Sequence, residues 1–373
     1  GLTARAAVSW DATNGTTLNR WITPKTYYLD KNEPYLEDGS FNYKVKDQGS
    51  GYIHLGSAPT SGYNTLNFEA AINYERQFAY AHRVSGMFLY NMRNKTNTSP
   101  GSYIAAFAYK NMGIAGRATY SYKDRYFAEF NFGYNGSENF APGHRFGFFP
   151  SGALGYLISN EPWFESAKSV ITNLKLKASY GKIGNDQIGG SRRFAYNSTM
   201  NTSANGISWG QTGPIYVGGI TTGDVGSAAV AWEEATKSNI GLEIDLFNQF
   251  KLQADYFYDY RDGIFIERES TPTIVGMNKQ QWVNIGEMMN SGFDMSAQYD
   301  YTFSNGLSLS ARGNYTFNRN RVIYNDKPSQ IWEYQNTAGF AFNQQRGYIA
   351  EGLFSSQEEI DNSPLQQFGQ VKV

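Results

Sequence analysis

Apolar and polar residues alternate with a period of two along most of the chain. In segment 126–135, one face carries Tyr126 and Phe130 while the other carries Glu129 and Asn131. Successive side chains of a β-strand point to opposite faces of a sheet, so this pattern predicts strands. We predict a strand in each of the segments 2–10, 66–74, 83–90, 115–122, 126–135, 146–158, 174–183, 232–245, 252–262, 293–302 and 307–318.

The alternating segments are long for a soluble protein. An ordinary strand has about 5–6 residues, whereas a strand that crosses a lipid bilayer needs about 9–11 residues. Most of the segments fall into the second range, with one face rich in aromatic residues and the other polar or containing Gly. Their length therefore favours an antiparallel transmembrane β-barrel over a soluble β-sandwich, which also alternates.

The connections between these segments are of two kinds. Tight turns are predicted at 123–124, 247–250 and 304–306, and long connections at 94–112, 136–145, 184–231, 263–286 and from 321 onwards. If the strands run antiparallel, every tight turn falls at one end of the sheet and every long loop at the other. Segment 160–173 falls at the tight-turn end and can hold one helical turn at 163–169. Short periplasmic turns and long extracellular loops are typical of outer-membrane barrels.

Aromatic and charged residues agree with this interpretation. Tyr120 and Tyr122 precede the turn at 123–124 and Tyr126 follows it, as in the aromatic girdles at a membrane interface. The isolated charges lie on the polar faces, where a water-filled lumen accommodates them. On a lipid face, a basic side chain costs about 2–4 kcal/mol at the midplane. These charges are Glu129, Lys175, Lys177, Asp255, Asp259 and Arg312.

Composition excludes several other classes of protein. The 373 residues include no Cys, which excludes a disulfide scaffold or a thiolate metal site. A net charge of -1 gives no general attraction to nucleic acid. Charged residues make up 17% and aromatic residues 16%, a balance that argues against disorder. A mean hydropathy of -0.52, without an apolar run near 18 residues, argues against a helical membrane span.

The chain offers little catalytic chemistry. His54 and His144 are predicted in loops and His82 in a turn, too dispersed for a metal or catalytic set. Neither a nucleophile elbow nor a phosphate-binding or dinucleotide motif occurs. We therefore expect no enzyme activity and no cofactor, and an outer-membrane barrel enzyme is the least favoured class. A secreted, soluble β-rich carbohydrate-binding protein or adhesin remains the main alternative.

The extracellular loops and the upper lumen are the predicted ligand-binding surface. Aromatic rings there can stack on sugars, and polar groups can hydrogen-bond a ligand. For any single residue, packing between loops or contact with a lid protein is the more frequent role. The candidates are Arg192, Arg193, Tyr196, Trp209 and Tyr216 in loop 184–231, with Trp282 and Trp332 in later loops.

Several stretches resemble one family of membrane proteins. Residues 116–141 read GRATYSYKDRYFAEFNFGYNGSENFA, residues 145–164 read RFGFFPSGALGYLISNEPWF, and residues 174–188 read LKLKASYGKIGNDQI. Shorter matches occur at 232–241, 284–293 and 347–360. In order and spacing these segments resemble the SusC/RagA family of TonB-dependent outer-membrane transporters of Bacteroidota across nearly the whole chain.

The resemblance implies a 22-stranded barrel around a plug, energised through TonB and capped by a SusD-like surface lipoprotein that presents a glycan or oligopeptide. Residues 1–373 then belong to the barrel domain and meet outer-membrane lipid, without a visible plug domain, TonB box or signal peptide. At roughly 29 residues per strand, 22 strands need about 640 residues, so we expect about half of a barrel. An open sheet edge cannot face lipid, so this part alone should not insert stably.

Overall fold

A computed structural model describes residues 1–188, 192–210, 215–277, 279–350 and 352–363. The helices are short: α1 (Tyr103–Ala106), α2 (Gln357–Asn362) and 3-10 helices at Ile158–Asn160, Pro162–Ala167, Thr273–Val275 and Glu333–Gln335. The strands are β1 (Leu2–Trp21), β2 (Thr26–Leu29), β3 (Tyr43–Asp47), β4 (His54–Phe78), β5 (His82–Asn97), β6 (Tyr109–Tyr122), β7 (Tyr126–Ser137), β8 (Phe146–Leu157), β9 (Ile171–Asn185), β10 (Met200–Trp209), β11 (Ile215–Thr222), β12 (Glu233–Leu246), β13 (Phe250–Glu267), β14 (Trp282–Thr302) and β15 (Ser308–Tyr324).

Within the described ranges, eleven strands form one antiparallel sheet in the order β1-β4-β5-β6-β7-β8-β9-β12-β13-β14-β15. Each strand pairs with the next sheet strand along the chain, so the sheet is a meander with β1 and β15 at its edges. Strands β2 and β3 form a separate hairpin, and β10 and β11 form another. The predicted all-β, antiparallel partial barrel is confirmed.

Every predicted strand segment matches a strand of this sheet, with Ile158, Trp232 and Leu307 each one residue outside it, but the strands extend further towards the long loops. Strand β5 continues to Asn97 and β6 begins at Tyr109, whereas 94–112 was predicted as a connection. Strand β13 likewise runs to Glu267 and β14 begins at Trp282, within the predicted connection 263–286. The end of β5 is polar on both faces, whereas the end of β13 is apolar on both, at Ile264, Phe265 and Ile266, after a register shift. In both strands the alternation therefore ends before the ladder does.

Two of the three histidines also lie elsewhere than predicted. His54 is the first residue of β4 and not a loop residue, and His82 is the first residue of β5 directly after a turn. Their rings pack against aromatic neighbours: His54 stacks on Trp21 at 5.2 Å, and the His82 Nδ1 lies 2.8 Å from the Tyr120 hydroxyl. These contacts give both histidines a structural role at strand ends.

The tight turns all lie at one end of the sheet, as predicted. Lys123 and Asp124 both have a φ of 51°, and Phe247 and Asn248 have φ values of 54° and 57°. Paired positive φ values in two-residue loops match the right-handed twist of the flanking strands. A further turn of this kind at Ala79–Tyr80 joins β4 to β5. The 3-10 helix Pro162–Ala167 lies at the same end and confirms the predicted helical turn there.

The two faces of the sheet differ in chemistry. The polar face carries pairs between neighbouring strands, including Arg117–Glu129 at 2.6 Å and Lys177–Asp255 at 3.1 Å. The opposite face exposes large apolar side chains, among them Phe130, Leu154, Tyr180 and Ile240. An apolar band on one face and charges on the other are the arrangement of a barrel wall between lipid and lumen. Among the described residues, no helix is long and apolar enough to cross a membrane.

A small hydrophobic core holds the long-loop end together. Phe140, Ile188, Val230 and Phe265 are its fully buried members. Trp232 and Trp282 pack against it, and the Trp232 indole N–H donates to the Arg145 carbonyl at 3.1 Å. The core gathers residues from three connections and from strand β13, so it fixes how the loops sit above the sheet.

Candidate functional site

A polar cavity of about 370 Å³ lies on the polar face of the sheet, at the long-loop end. The cavity falls where β5, β6 and β7 run side by side, because Arg93 pairs in register with Asn111 and Asn111 with Ser137. Loop residues close its upper side. Its wall includes Arg93, Lys95, Asn97, Tyr109, Asn111, Ser137, Asn139, Asp186, Gln187 and Arg193.

Two cations on β5 point into this cavity from the same face of the strand. Arg93 and Lys95 are two residues apart, so their side chains lie on one side of the sheet. The Lys95 Nζ lies 4.3 Å from the centroid of the Tyr63 ring on β4. Such a contact orients an ammonium group without neutralising it. The strand therefore presents positive charge to the cavity.

Asp186, an acidic residue in the cavity wall, accepts hydrogen bonds from two neighbouring side-chain amides. The Asn111 Nδ2 donates to the Asp186 Oδ2 at 2.7 Å, and the Asn139 Nδ2 donates to the Asp186 carbonyl at 2.9 Å. Asp186 directly follows β9 and so ties loop 186–232 to β6 and to the connection after β7. The carboxylate thus fixes the loop over the cavity.

Arg193, one of the predicted ligand contacts, is 6% exposed and binds the loop backbone. Its terminal nitrogens donate to the carbonyls of Phe107 and Ala108, each at 2.8 Å. Its guanidinium also lies 3.5 Å from the centroid of the Tyr109 ring. Burial lowers the pKa of Arg193 from its ordinary value. Arg193 therefore joins the loop after β9 to the one after β5.

Arg192 and Trp282, also predicted candidates, contact each other. The Arg192 guanidinium lies 4.0 Å from the centroid of the Trp282 ring, and its Nε lies 3.7 Å from the Asp224 Oδ2. Trp282 packs in turn on Phe265 at 5.4 Å between ring centroids. Trp282 is the first residue of β14 and not a loop residue, because β14 begins earlier than its apolar alternation does. This pair belongs to the packing around the loop core.

The remaining candidates lie apart from that cluster. Tyr196 makes an edge contact with Phe194 at 6.1 Å. Trp209 and Tyr216 lie on strands β10 and β11, where they are 63% and 62% exposed. Trp332 is 59% exposed and stacks on Tyr334 beyond β15. The structure thus joins Arg192 to Trp282 and leaves Trp209, Tyr216 and Trp332 as exposed loop aromatics.

Sequence reasoning missed the strand residues of the cavity. Lys95, Tyr109 and Asn111 all lie inside the predicted connection 94–112, and Arg93 directly precedes it. The signal that could have found them is the phase of β5: Arg83, Arg93 and Lys95 share one face when its alternation is extended. Polar residues that keep the alternation of β5, on its polar face, form the wall of the cavity.

A second polar cavity of about 280 Å³ lies on the same face between β12 and β15. Lys237 and Asp259 line it and are paired at 3.7 Å, and the Phe342 backbone N–H donates to the Asn320 Oδ1 at 2.8 Å. Arg261 also lines this cavity, so its lining holds two basic side chains and one acidic one, against four basic and two acidic side chains in the first cavity. Within the described part of the chain, no group of three or more acidic or His side chains could hold a metal ion.

Comparisons with known proteins agree on one family. A family model described as TonB dependent receptor-like, beta-barrel, matches residues 2–363. TonB-dependent receptor P26 of Formosa agariphila is 25% identical over 335 residues, covering 82% of this chain and 32% of that protein. TonB-dependent receptor SusC of Bacteroides thetaiotaomicron is 26% identical over 220 residues, covering 58% and 21%. The chain therefore spans about a third or less of the length of these curated relatives.

Solved structures give the same fold. The RagAB peptide importer in its open-open state superposes with a TM-score of 0.64 at 18% identity, covering 87% of this chain and 34% of that chain. Its closed-closed state gives a TM-score of 0.62 at 19% identity and covers 86% and 35%. This likeness supports the barrel fold.

Proposed function

The chain belongs to the TonB-dependent receptor-like β-barrel family, and we propose that it forms the ligand-binding barrel wall of an outer-membrane importer of glycans. Proteins of this family lie in the outer membrane and act as receptors and transporters. The observation that carries the proposal is the polar cavity of Arg93, Lys95 and Asn111 on the lumenal face directly under the loops. A ligand released from the loops meets this cavity first.

The division between the two faces supports this role. The apolar band that includes Leu154 and Ile240 is covered by lipid, whereas the paired charges of the polar face line the passage. Lys177 lies 3.2 Å from Glu243 and 3.1 Å from Asp255, and Lys175 lies 3.9 Å from Glu243, so two cations and two carboxylates neutralise one another across three strands. A wall whose charges are internally paired allows a polar solute to pass without a deep electrostatic trap.

Partners complete the proposed mechanism. Import is energised by TonB, and a SusD-like surface lipoprotein presents the ligand from above. The exposed aromatics Trp209, Tyr216 and Trp332 support a partner at the loop end, because exposed Trp and Tyr are enriched where proteins bind one another. One named relative is SusC, and a structural neighbour is the RagAB peptide importer, so an oligopeptide is the second ligand class.

Uptake in the native bacterium tests this proposal. Cells with the gene intact, deleted, or intact in a tonB-null background receive fluorescent oligosaccharides and oligopeptides. We expect oligosaccharide uptake that requires both the gene and TonB, and a surface lipoprotein that copurifies with the receptor in detergent. Uptake of peptides alone would replace the glycan assignment, and uptake that persists in the tonB-null strain would overturn the transport mechanism.

A further inference from the structure

The first cavity holds positive charge that no acidic partner neutralises. Among the described residues, neither Arg93 nor Lys95 forms an ion pair with a carboxylate, although both line the cavity. Other cations of the polar face do have such partners, as Arg5 has in Glu69 and Lys177 has in Asp255. Two cations on one strand, two residues apart, are thus without a carboxylate partner at the loop end of the polar face.

The acids near the cavity are already occupied. The Asp186 carboxylate accepts a hydrogen bond from Asn111 at 2.7 Å. Glu138 pairs with Lys110 at 3.7 Å. The buried Arg193 adds a further positive charge to the wall while its donors serve loop carbonyls. The cavity therefore has an excess of positive charge, which favours an anionic group in a ligand.

The geometry of the two cations suits an oxyanion. An Arg guanidinium presents a planar fork of donors that matches a carboxylate or sulfate, and a Lys ammonium adds a mobile point charge. At about 370 Å³ the cavity lies in the range of about 300–1,000 Å³ common for small-molecule pockets. One terminal acidic group with an attached sugar ring or two is the kind of ligand this space accommodates.

The lining between the cations favours a sugar over a peptide side chain. Side-chain amides of Asn97, Asn111, Asn139 and Gln187 surround the charged pair. An amide carries two N–H donors and two acceptor lone pairs, so Asn111, which uses one N–H on Asp186, retains donor and acceptor capacity. Groups that both donate and accept suit the hydroxyls of a sugar ring.

We infer that this cavity binds an acidic oligosaccharide through a carboxylate or sulfate held by Arg93 and Lys95. The inference rests on the proposed import function and names its substrate class. Negative charge on the sugar then makes the contact dependent on ionic strength, because added salt screens an accessible charge pair. Neutral oligosaccharides of the same length lack that contact and bind more weakly.

Binding to the receptor purified from native outer membranes in detergent tests the inference. The probes are a fluorescent oligogalacturonate and its methyl ester, and a sulfated oligosaccharide and its desulfated form, so that each pair shares its sugar chain and differs in the charged group. The variants are Arg93→Gln and Lys95→Gln. The matched control is Arg312→Gln, a substitution on the same face of the sheet in the distant strand β15. Outer-membrane level and heat-modifiable gel migration verify folding.

We expect at least one acidic probe to bind about tenfold more tightly than its neutral form, which is a typical effect for one charge-assisted contact. Each cavity variant should lose about tenfold for the acidic probe only, and Arg312→Gln should change nothing. The acidic probe that binds, the oligogalacturonate or the sulfated oligosaccharide, shows whether the cavity holds a carboxylate or a sulfate. Equal binding of charged and neutral probes, or unchanged variants, overturns this inference while leaving import intact. Uptake of peptides without any oligosaccharide overturns both proposals.

Discussion

The guanidinium of Arg193 lies 3.5 Å from the centroid of the Tyr109 ring at the start of β6. Its two terminal nitrogens bind the carbonyls of Phe107 and Ala108, the residues that lead into Tyr109. One side chain from the long loop after β9 therefore fixes the connection that precedes β6. The upper wall of the first cavity depends on this contact, because Tyr109 and Arg193 both line it.

Replacing Arg193 with Gln should loosen the connection 98–108. A Gln side chain is too short to reach both carbonyls. A buried polar group left without its partner costs about 1–3 kcal/mol, and these partly buried carbonyls should cost less. We expect limited proteolysis of the detergent-purified receptor to cut within 98–108 several times faster than in the wild type. The control is Arg346→Gln, an exposed Arg that binds the Gln335 carbonyl at 2.9 Å in another loop. Equal cleavage of 98–108 in both variants would contradict the proposed role.

Among the acidic residues at the tight-turn end, we expect substitution of Glu161 to reduce the stability of the receptor most. Its side chain is 7% exposed, and it accepts from the Tyr126 hydroxyl at 2.7 Å and the Arg125 guanidinium at 3.1 Å. Removing one partner of a buried ion pair costs about 3–5 kcal/mol. We expect Glu161→Ala to lower the urea midpoint of the receptor in micelles clearly.

A neighbouring ion pair provides the matched control for that substitution. Glu165 lies in the 3-10 helix Pro162–Ala167 that directly follows Glu161, and it binds Lys168 at 2.8 Å, but its side chain is 73% exposed. Exposed pairs contribute about 0–1 kcal/mol, so Glu165→Ala should leave the urea midpoint almost unchanged. Similar losses in the two variants would show that the Glu161 contacts do not stabilise this end.

The strands could be predicted from the sequence because lipid enforces strict alternation. Where a strand crosses the membrane, one face must be apolar, as Phe130 and Tyr134 are in β7, and the period of two is then visible. Above the membrane both faces of β5 carry polar side chains, so its pattern ends before its ladder does, and its end at Asn97 was missed. The end of β13 at Glu267 was missed because the register shifts after Arg261 and Phe265 then packs into the loop core.

The candidate site was less predictable because it depends on contacts between distant segments. Arg193 binds the Ala108 carbonyl across 85 residues of chain, and nothing local marks it as buried. Trp209 and Tyr216 were predicted in a loop, and the structure adds that they lie on a hairpin of that loop. Arg93 and Lys95 can be recognised as part of a cavity only once the strand register is known, because it places Asn111 of β6 opposite Arg93.

Asp326 should act as an acid-sensitive tie between two loops. Its carboxylate is buried just beyond β15 and accepts from the Tyr324 hydroxyl at 2.9 Å and the Ser270 hydroxyl at 3.0 Å. Burial alone would raise its pKa, but these hydrogen bonds outweigh that and lower the pKa below the ordinary 3.8. The tie is therefore fully present above pH 3.8 and is lost as the pH falls through the lowered value.

A single fluorescent label can follow that loss. The chain has no Cys, so Thr271→Cys introduces one labelling site in this chain beside Ser270. We expect low label mobility from neutral pH to about pH 4, and increased mobility only under stronger acid. With Asp326→Asn added, the label should be mobile at every pH. A transition near neutral pH would exclude Asp326 as its cause.

Residues 1–373 expressed alone should not insert stably into a membrane. Among the described residues, the edge strands β1 (20 residues) and β15 (17 residues) have no strand on their outer side, and only Val322 of β15 pairs there, with Gly339 and Phe340. Unpaired backbone groups cost several kcal/mol each in hydrocarbon. We expect the refolded chain to aggregate or to remain extractable from vesicles by alkaline carbonate. Protected, membrane-embedded chains that conduct ions in a planar bilayer would contradict this expectation.

The assignment of lipid and lumen to the two faces can be tested with neighbouring residues of β12. Ile240 is 65% exposed on the apolar face, whereas Asn239 lies on the opposite face. Arg on the lipid face near the midplane costs about 2–4 kcal/mol, while Arg facing a watery lumen costs little. We expect Ile240→Arg to reduce the folded receptor in outer membranes severalfold, and Asn239→Arg to leave its level near that of the wild type, measured by heat-modifiable gel migration. The reverse order would exchange the two faces.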